Sequence, residues 1–122
     1  MLATRKQKSE AIRNINKQLP LLTSVVFTHT SYTELIIPQG SIIYADPPYQ
    51  STTSYHNTFD HTLFWNWVRE MHIQGHTVYV SEYNAPHDFT CVWSKSVTSS
   101  MSANGKYGAN KQSIEKLFIY GR

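Results

Sequence analysis

Hydrophobic positions along this chain come in short blocks whose spacing changes, and each change marks an element. Between Arg5 and Gln18 the apolar residues Ile12 and Ile15, with Leu19 just beyond, are spaced i, i+3, i+7, which predicts an amphipathic helix ending near Pro20. Ser24–Thr28 is β-branched and aromatic and predicts a strand. Tyr32–Ile37 reads as a helical turn or loop closed by Pro38-Gln39-Gly40. Ser41–Ala45 is continuously apolar, the form expected of a parallel strand covered on both faces. After a Ser/Thr-rich stretch from Gln50 to Asn57, Thr58 or Asp60 can cap a helix over Thr62–Ile73. Its stripe is Leu63, Phe64, Trp67, Val68 and Met71, and Gly75 stops it. Thr77–Ser81 predicts another buried strand. Phe89–Ser96 and Ile114–Tyr120 predict an antiparallel pair joined by a loop rich in Ser, Gly and Asn. The order strand, helix, strand, closing hairpin is that of an α/β sheet with a reversed edge.

At 122 residues, 40% hydrophobic and 16% charged, the chain is expected to form one globular domain, a leading helix over 1–20 followed by the remainder over 21–122. A formal charge of +3 is compatible with a polyanionic partner without identifying one. Arg5, Lys6, Lys8, Arg13 and Lys17 precede the first strand with only Glu10 against them, and fit either phosphate contact or a solvated helix face. The single Cys91 rules out an internal disulfide and suits a reducing cytoplasm. No apolar run approaches the roughly 20 residues of a membrane span, and the first 20 residues lack a signal-peptide core, so a soluble, intracellular protein is expected.

The most telling feature is Asp46-Pro47-Pro48-Tyr49, set directly behind the Ser41–Ala45 strand. One carboxylate, two prolines that fix the loop and remove donors, and an aromatic face stand together at a strand end. A carboxylate and a backbone carbonyl can accept both N–H bonds of an exocyclic amine on a flat ring. That draws the nitrogen lone pair out of conjugation and makes it more nucleophilic. A nucleobase treated in this way has to leave its duplex stack.

Ile43-Tyr44-Ala45-Asp46-Pro47-Pro48-Tyr49 resembles the catalytic motif of amino-methylating DNA methyltransferases. With Phe59-Asp60, Phe64-Trp65, Trp67-Val68, the run Gly75–Pro86, Asp88-Phe89, Cys91-Val92-Trp93 and Glu115-Lys116-Leu117-Phe118, the chain is similar to the C-terminal half of Dam-like DNA adenine-N6 methyltransferases, many of them carried by phages. The resemblance covers roughly Leu19 to Gly121. It implies the C-terminal half of a Rossmann-like sheet with a closing antiparallel edge, S-adenosylmethionine as methyl donor, double-stranded DNA as partner, and no metal. It also implies roles. Asp46, Pro47, Pro48 and Tyr49 would be catalytic, with Asp46 and the Pro47 carbonyl holding the amine and Tyr49 stacking on the flipped adenine. Tyr32 and Asp46 would bind the cofactor, and Tyr55, Ser81, Glu82, Tyr83 and Asn84 the substrate.

The pattern is incomplete. Relatives carry a Phe-x-Gly-x-Gly turn under the cofactor, and none of Gly40, Gly75, Gly105, Gly108 and Gly121 opens a helix after a strand in that way. The recognition segment is missing, and Ser31 stands before Tyr32 where relatives commonly have an aspartate. The expectation is therefore a truncated or split methyltransferase, with a second chain supplying the missing half, or an inactive DNA- or protein-binding remnant. With half a sheet absent, the Asp46 strand should present an unpaired edge, giving marginal stability alone or dimerisation.

The remaining candidates have plainer readings. Tyr55 and the Ser51–Asn57 loop fit closure over DNA and a surface loop equally well. Phe64, Trp65 and Trp67 read as core. His72 and His76, with Gly75 between them and no metalloprotease glutamate, read as surface histidines. Cys91, flanked by Phe89 and Val92, reads as a core residue.

Overall fold

The computed structural model describes residues 4–50, 58–99 and 111–121. They fall into two compact units, Met1–Leu35 and Ile36–Arg122.

In the first unit the expected helix is present as α1, Arg5–Gln18. Thr4 starts it with a reciprocal cap: its hydroxyl accepts from the Gln7 amide at 3.2 Å, and the Gln7 side chain accepts from the Thr4 amide at 2.8 Å. Pro20 ends it in a 3-10 turn over Leu19–Leu22. No residue of α1 is buried. The strand expected at Ser24–Thr28 does not form. Val25 to His29 are irregular, with Val26 85% and Phe27 77% exposed. β-branched residues favour a strand only where a neighbouring strand takes up the backbone groups, and these belong to no sheet. A second 3-10 turn covers Tyr32–Glu34.

The second unit is a mixed four-stranded sheet with one helix against it. Strands β1 (Ile42–Ala45), β2 (Thr77–Ser81), β3 (Phe89–Ser99) and β4 (Lys111–Tyr120) lie in the order β1-β2-β4-β3. β1 and β2 are parallel, in register Ile43 with Val78 and Ala45 with Val80. They are joined through α2, His61–Ile73. Asp60 caps α2, accepting from the Leu63 amide at 2.9 Å, and Gly75 at φ +96° provides the turn into β2. β4 runs antiparallel to both neighbours, so the reversed strand is interior, while β3 at the rim runs with β1 and β2. The hairpin is longer than expected: Lys111–Ser113, placed in the loop by sequence, pair with Val97–Ser99.

The core lies between α2 and one sheet face: Phe64, Trp65, Val68, Val78, Val80, Phe89 and Phe118 are all buried. Each contributes on the order of 1.5–3 kcal/mol of hydrophobic stabilisation. Trp65, absent from the expected stripe, takes the inward place while Leu63 stays half exposed, because Trp65 packs edge-on against Phe89 at 4.7 Å between ring centres. Arg69 closes the same end, binding Asp88 through two hydrogen bonds of 2.7 and 2.8 Å and lying 5.3 Å from the Phe89 ring centre.

Three other expectations are corrected. β1 is not covered on both faces: Ile42 is 77% and Tyr44 63% exposed, since α2 covers only the side of Val78 and Val80. Cys91 is exposed, lying two residues beyond the Phe89 that meets α2; Val92 is an unmatched residue in a bulge that follows. His76 is buried, because its Nδ1 accepts the Ser41 amide at 3.1 Å and so ties the start of β1 to the start of β2. β1 has β2 as its one neighbour among the described strands, the open edge expected of it.

Candidate functional site

Parallel β1 and β2 end side by side, and the segments leaving them carry most of the residues singled out above. Ala45 pairs with Val80, so Asp46 and Ser81 emerge at the same end of the sheet. In open α/β sheets this carboxyl end is where ligands bind.

The Asp46 side chain is exposed and makes no hydrogen bond or ion pair among the described residues. An aspartate that only shapes a turn normally bonds nearby backbone amides; Asp46 does not. Pro47 is buried and Pro48 exposed, and the Pro48 carbonyl meets His61 Nε2 at 2.8 Å, anchoring the loop to the first turn of α2.

Tyr49 is the link to the far side of the sheet. Its hydroxyl donates to Glu115 Oε2 at 3.0 Å on β4 and, with its one proton used there, accepts from Ser81 Oγ at 2.8 Å on β2. Burial pushes the phenol up to about 12; the nearby Glu115 and Asp46 charges act in the same direction, and the Ser81 bond opposes them. Its ring meets Tyr83 edge-on, 4.4 Å between centres.

Glu82 is 2% exposed, and both of its oxygens are engaged: Oε2 accepts the Gln50 amide at 3.0 Å and Oε1 the Tyr83 amide at 2.8 Å. A carboxylate turned inward onto two backbone donors holds the Asp46–Gln50 loop against the β2 loop. Ser81 is buried, Tyr83 half-buried and Asn84 exposed in the same segment. The structure thus brings Asp46, Pro47, Pro48, Tyr49, Ser81, Glu82 and Tyr83 into one loop cluster, with Asn84 at its rim. Tyr55 lies outside the described residues. Tyr32 belongs to the first unit, half-buried in its second 3-10 turn.

Sequence reasoning gave no role to two residues of this cluster. Glu115 belongs to the Glu115-Lys116-Leu117-Phe118 run that carries the resemblance but has no role there, and its register opposite Lys95 shows which face it takes. His61 sits one residue after the Asp60 cap, where its ring reaches back to Pro48.

A cleft of about 280 Å3 lined by His72, His76, Thr77 and Tyr120 lies at the amino end of β2, away from Asp46. Among the described residues no group of three His, Cys, Asp or Glu is placed to hold a metal ion, and no helix is long and apolar enough to cross a membrane. For a sulfonium donor carrying an amino acid, the second unit offers the Asp46 carboxylate, and none of its described glycines, Gly40, Gly75 and Gly121, opens a helix after a strand. In the first unit the Ser31 hydroxyl is engaged with that of Thr33 at 2.9 Å.

The chemistry available is that of two acceptors, the Asp46 carboxylate and the Pro47 carbonyl, on a loop braced from three sides beside aromatic rings. Compared with known proteins, the chain matches no protein-family model, no curated protein and no solved structure.

Proposed function

We propose that this chain is a truncated or split form of a DNA adenine-N6 methyltransferase, acting on adenine flipped from double-stranded DNA with S-adenosylmethionine as the methyl source. The observation that carries this is the unengaged Asp46 carboxylate at the carboxyl end of β1, in a molecule where the two other acids of the cluster, Glu82 and Glu115, are engaged by backbone amides and by the Tyr49 hydroxyl. The order β1, Asp-Pro-Pro-Tyr, α2, β2 and closing hairpin agrees with the resemblance. Asp46 and the Pro47 carbonyl hold the two N–H bonds of the adenine amine and shift its lone pair toward the incoming methyl group. Tyr49, fixed at its hydroxyl by Ser81 and Glu115, is the stacking surface. The loop contributes by positioning, because a preset acceptor geometry needs no reorganisation during reaction.

Ser31, its hydroxyl engaged with that of Thr33 where relatives commonly carry an aspartate, favours a second form of the same ancestry: a remnant that still binds DNA or protein, or a half-enzyme completed by a second chain. Transfer of radiolabelled methyl from S-adenosylmethionine to unmethylated double-stranded DNA separates these forms. Incorporation that disappears in Asp46→Ala supports the working enzyme. Incorporation no higher than in that variant makes the chain a remnant or half-enzyme.

A further inference from the structure

We infer that β1 is a self-pairing edge: two copies of this chain join antiparallel through Ile42–Tyr44, about a two-fold axis at Ile43, into a continuous eight-stranded sheet. The direction of the free backbone groups carries this. The Ser41 carbonyl accepts from the Thr77 amide at 3.0 Å, and the Ser41 amide donates to His76, so both Ser41 groups point toward β2. Strand alternation then turns Ile43 toward β2 and leaves the N–H and C=O of Ile42 and Tyr44 pointing outward. With the axis at Ile43, Ile42 of one copy faces Tyr44 of the other, twice over, and all four outward N–H groups meet outward carbonyls.

The side chains agree with this register. Ile42 and Tyr44 share the bare face of the sheet, 77% and 63% exposed, and would form two cross-strand aliphatic–aromatic pairs. Moving the register by two residues sets Ile42 against Asp46, or Tyr44 against Gly40, whose φ of +71° ends the extended backbone. Moving it by one residue mismatches the two faces. No charge, proline or bulge protects the edge from Ser41 to Ala45. The Ile36–Arg122 unit that carries the edge has six basic and six acidic side chains, so the +3 charge of the chain lies in the Met1–Leu35 unit. The area is small. Four exposed side chains give on the order of 400 Å2, well below the ~1,200 Å2 of a stable interface, so the pair should be weak.

The register is testable in the full chain carrying Cys91→Ser. An antiparallel pair without hydrogen bonds between its members sets the Cα atoms about 4.5 Å apart, within disulfide reach, so Ile43→Cys should cross-link to itself under mild oxidation. Ile42→Cys, roughly 8 Å from its own copy, should cross-link at least about tenfold more slowly. The chain without new cysteines should gain average mass in sedimentation equilibrium between about 10 µM and about 1 mM, and Tyr44→Lys should abolish the gain. Equal cross-linking at both positions overturns the pairing, as does a monomer at all concentrations. A monomer that binds only a different chain through this edge also overturns it. None of these readouts involves methyl transfer.

Discussion

Replacing Glu82 with alanine is the most informative perturbation of the site's framework. Its carboxylate is 2% exposed and is the acceptor for two backbone amides, Gln50 at 3.0 Å and Tyr83 at 2.8 Å. A buried donor left without a partner costs about 1–3 kcal/mol. Gln50 is exposed and Tyr83 half-buried, so water can reach the freed amides and each loss falls toward the lower end of that range. We expect a net loss of about 1–3 kcal/mol for the two together. Against a typical domain stability of about 5–15 kcal/mol, that is a large fraction. Glu82→Gln keeps the shape and one acceptor oxygen and should lose about half as much. Urea unfolding followed by tryptophan fluorescence would measure both, and faster amide exchange at Gln50 and Tyr83 should accompany the loss. A Glu82→Ala midpoint equal to that of the parent, with both amides still protected, would refute the bracing role.

Other outcomes follow from the same geometry. Tyr49 binds its proton more tightly folded than unfolded, so its contribution is complete below pH about 10 and is lost as pH rises toward about 12. The stability gap between the parent and Tyr49→Phe, no more than about 2 kcal/mol, should therefore shrink over that range in pH-dependent melts. Asp60→Ala removes the α2 cap and should cost about 1 kcal/mol in denaturant unfolding, with Asp60→Ser recovering most of it. The Arg69 guanidinium holds the Asp88 carboxyl below its ordinary value. Its contribution is therefore present above the unfolded value and lost as pH falls through the folded one, so Asp88→Asn should flatten the acid limb of the stability curve.

Much of the second unit was legible because its signals are local. Asp60, the apolar run through Val68, and Gly75 bound α2 to within a residue, and the continuous Ile42–Ala45 and Thr77–Ser81 runs became the two parallel strands. What sequence left hidden depended on partners. Ser24–Thr28 has the composition of a strand but pairs with none of the described strands. Cys91 has apolar neighbours, but lies beyond the helix that buries Phe89. His76 looked like a surface histidine until the Ser41 amide was found on its ring. In the site, the Asp46 loop could be placed at a strand end from its sequence alone. Its bracing could not, because Glu82, Glu115 and His61 act across 32, 66 and 13 positions of chain.

Nucleoside mass spectrometry of unmethylated double-stranded DNA, incubated with the chain and S-adenosylmethionine, bears most directly on Asp46 as the amine-holding group. N6-methyladenine formed by the parent and absent with Asp46→Ala is the predicted result. An equal yield from Asp46→Ala would contradict the assignment of methyl transfer to this site, and no N6-methyladenine from the parent would contradict methyl transfer by this chain alone.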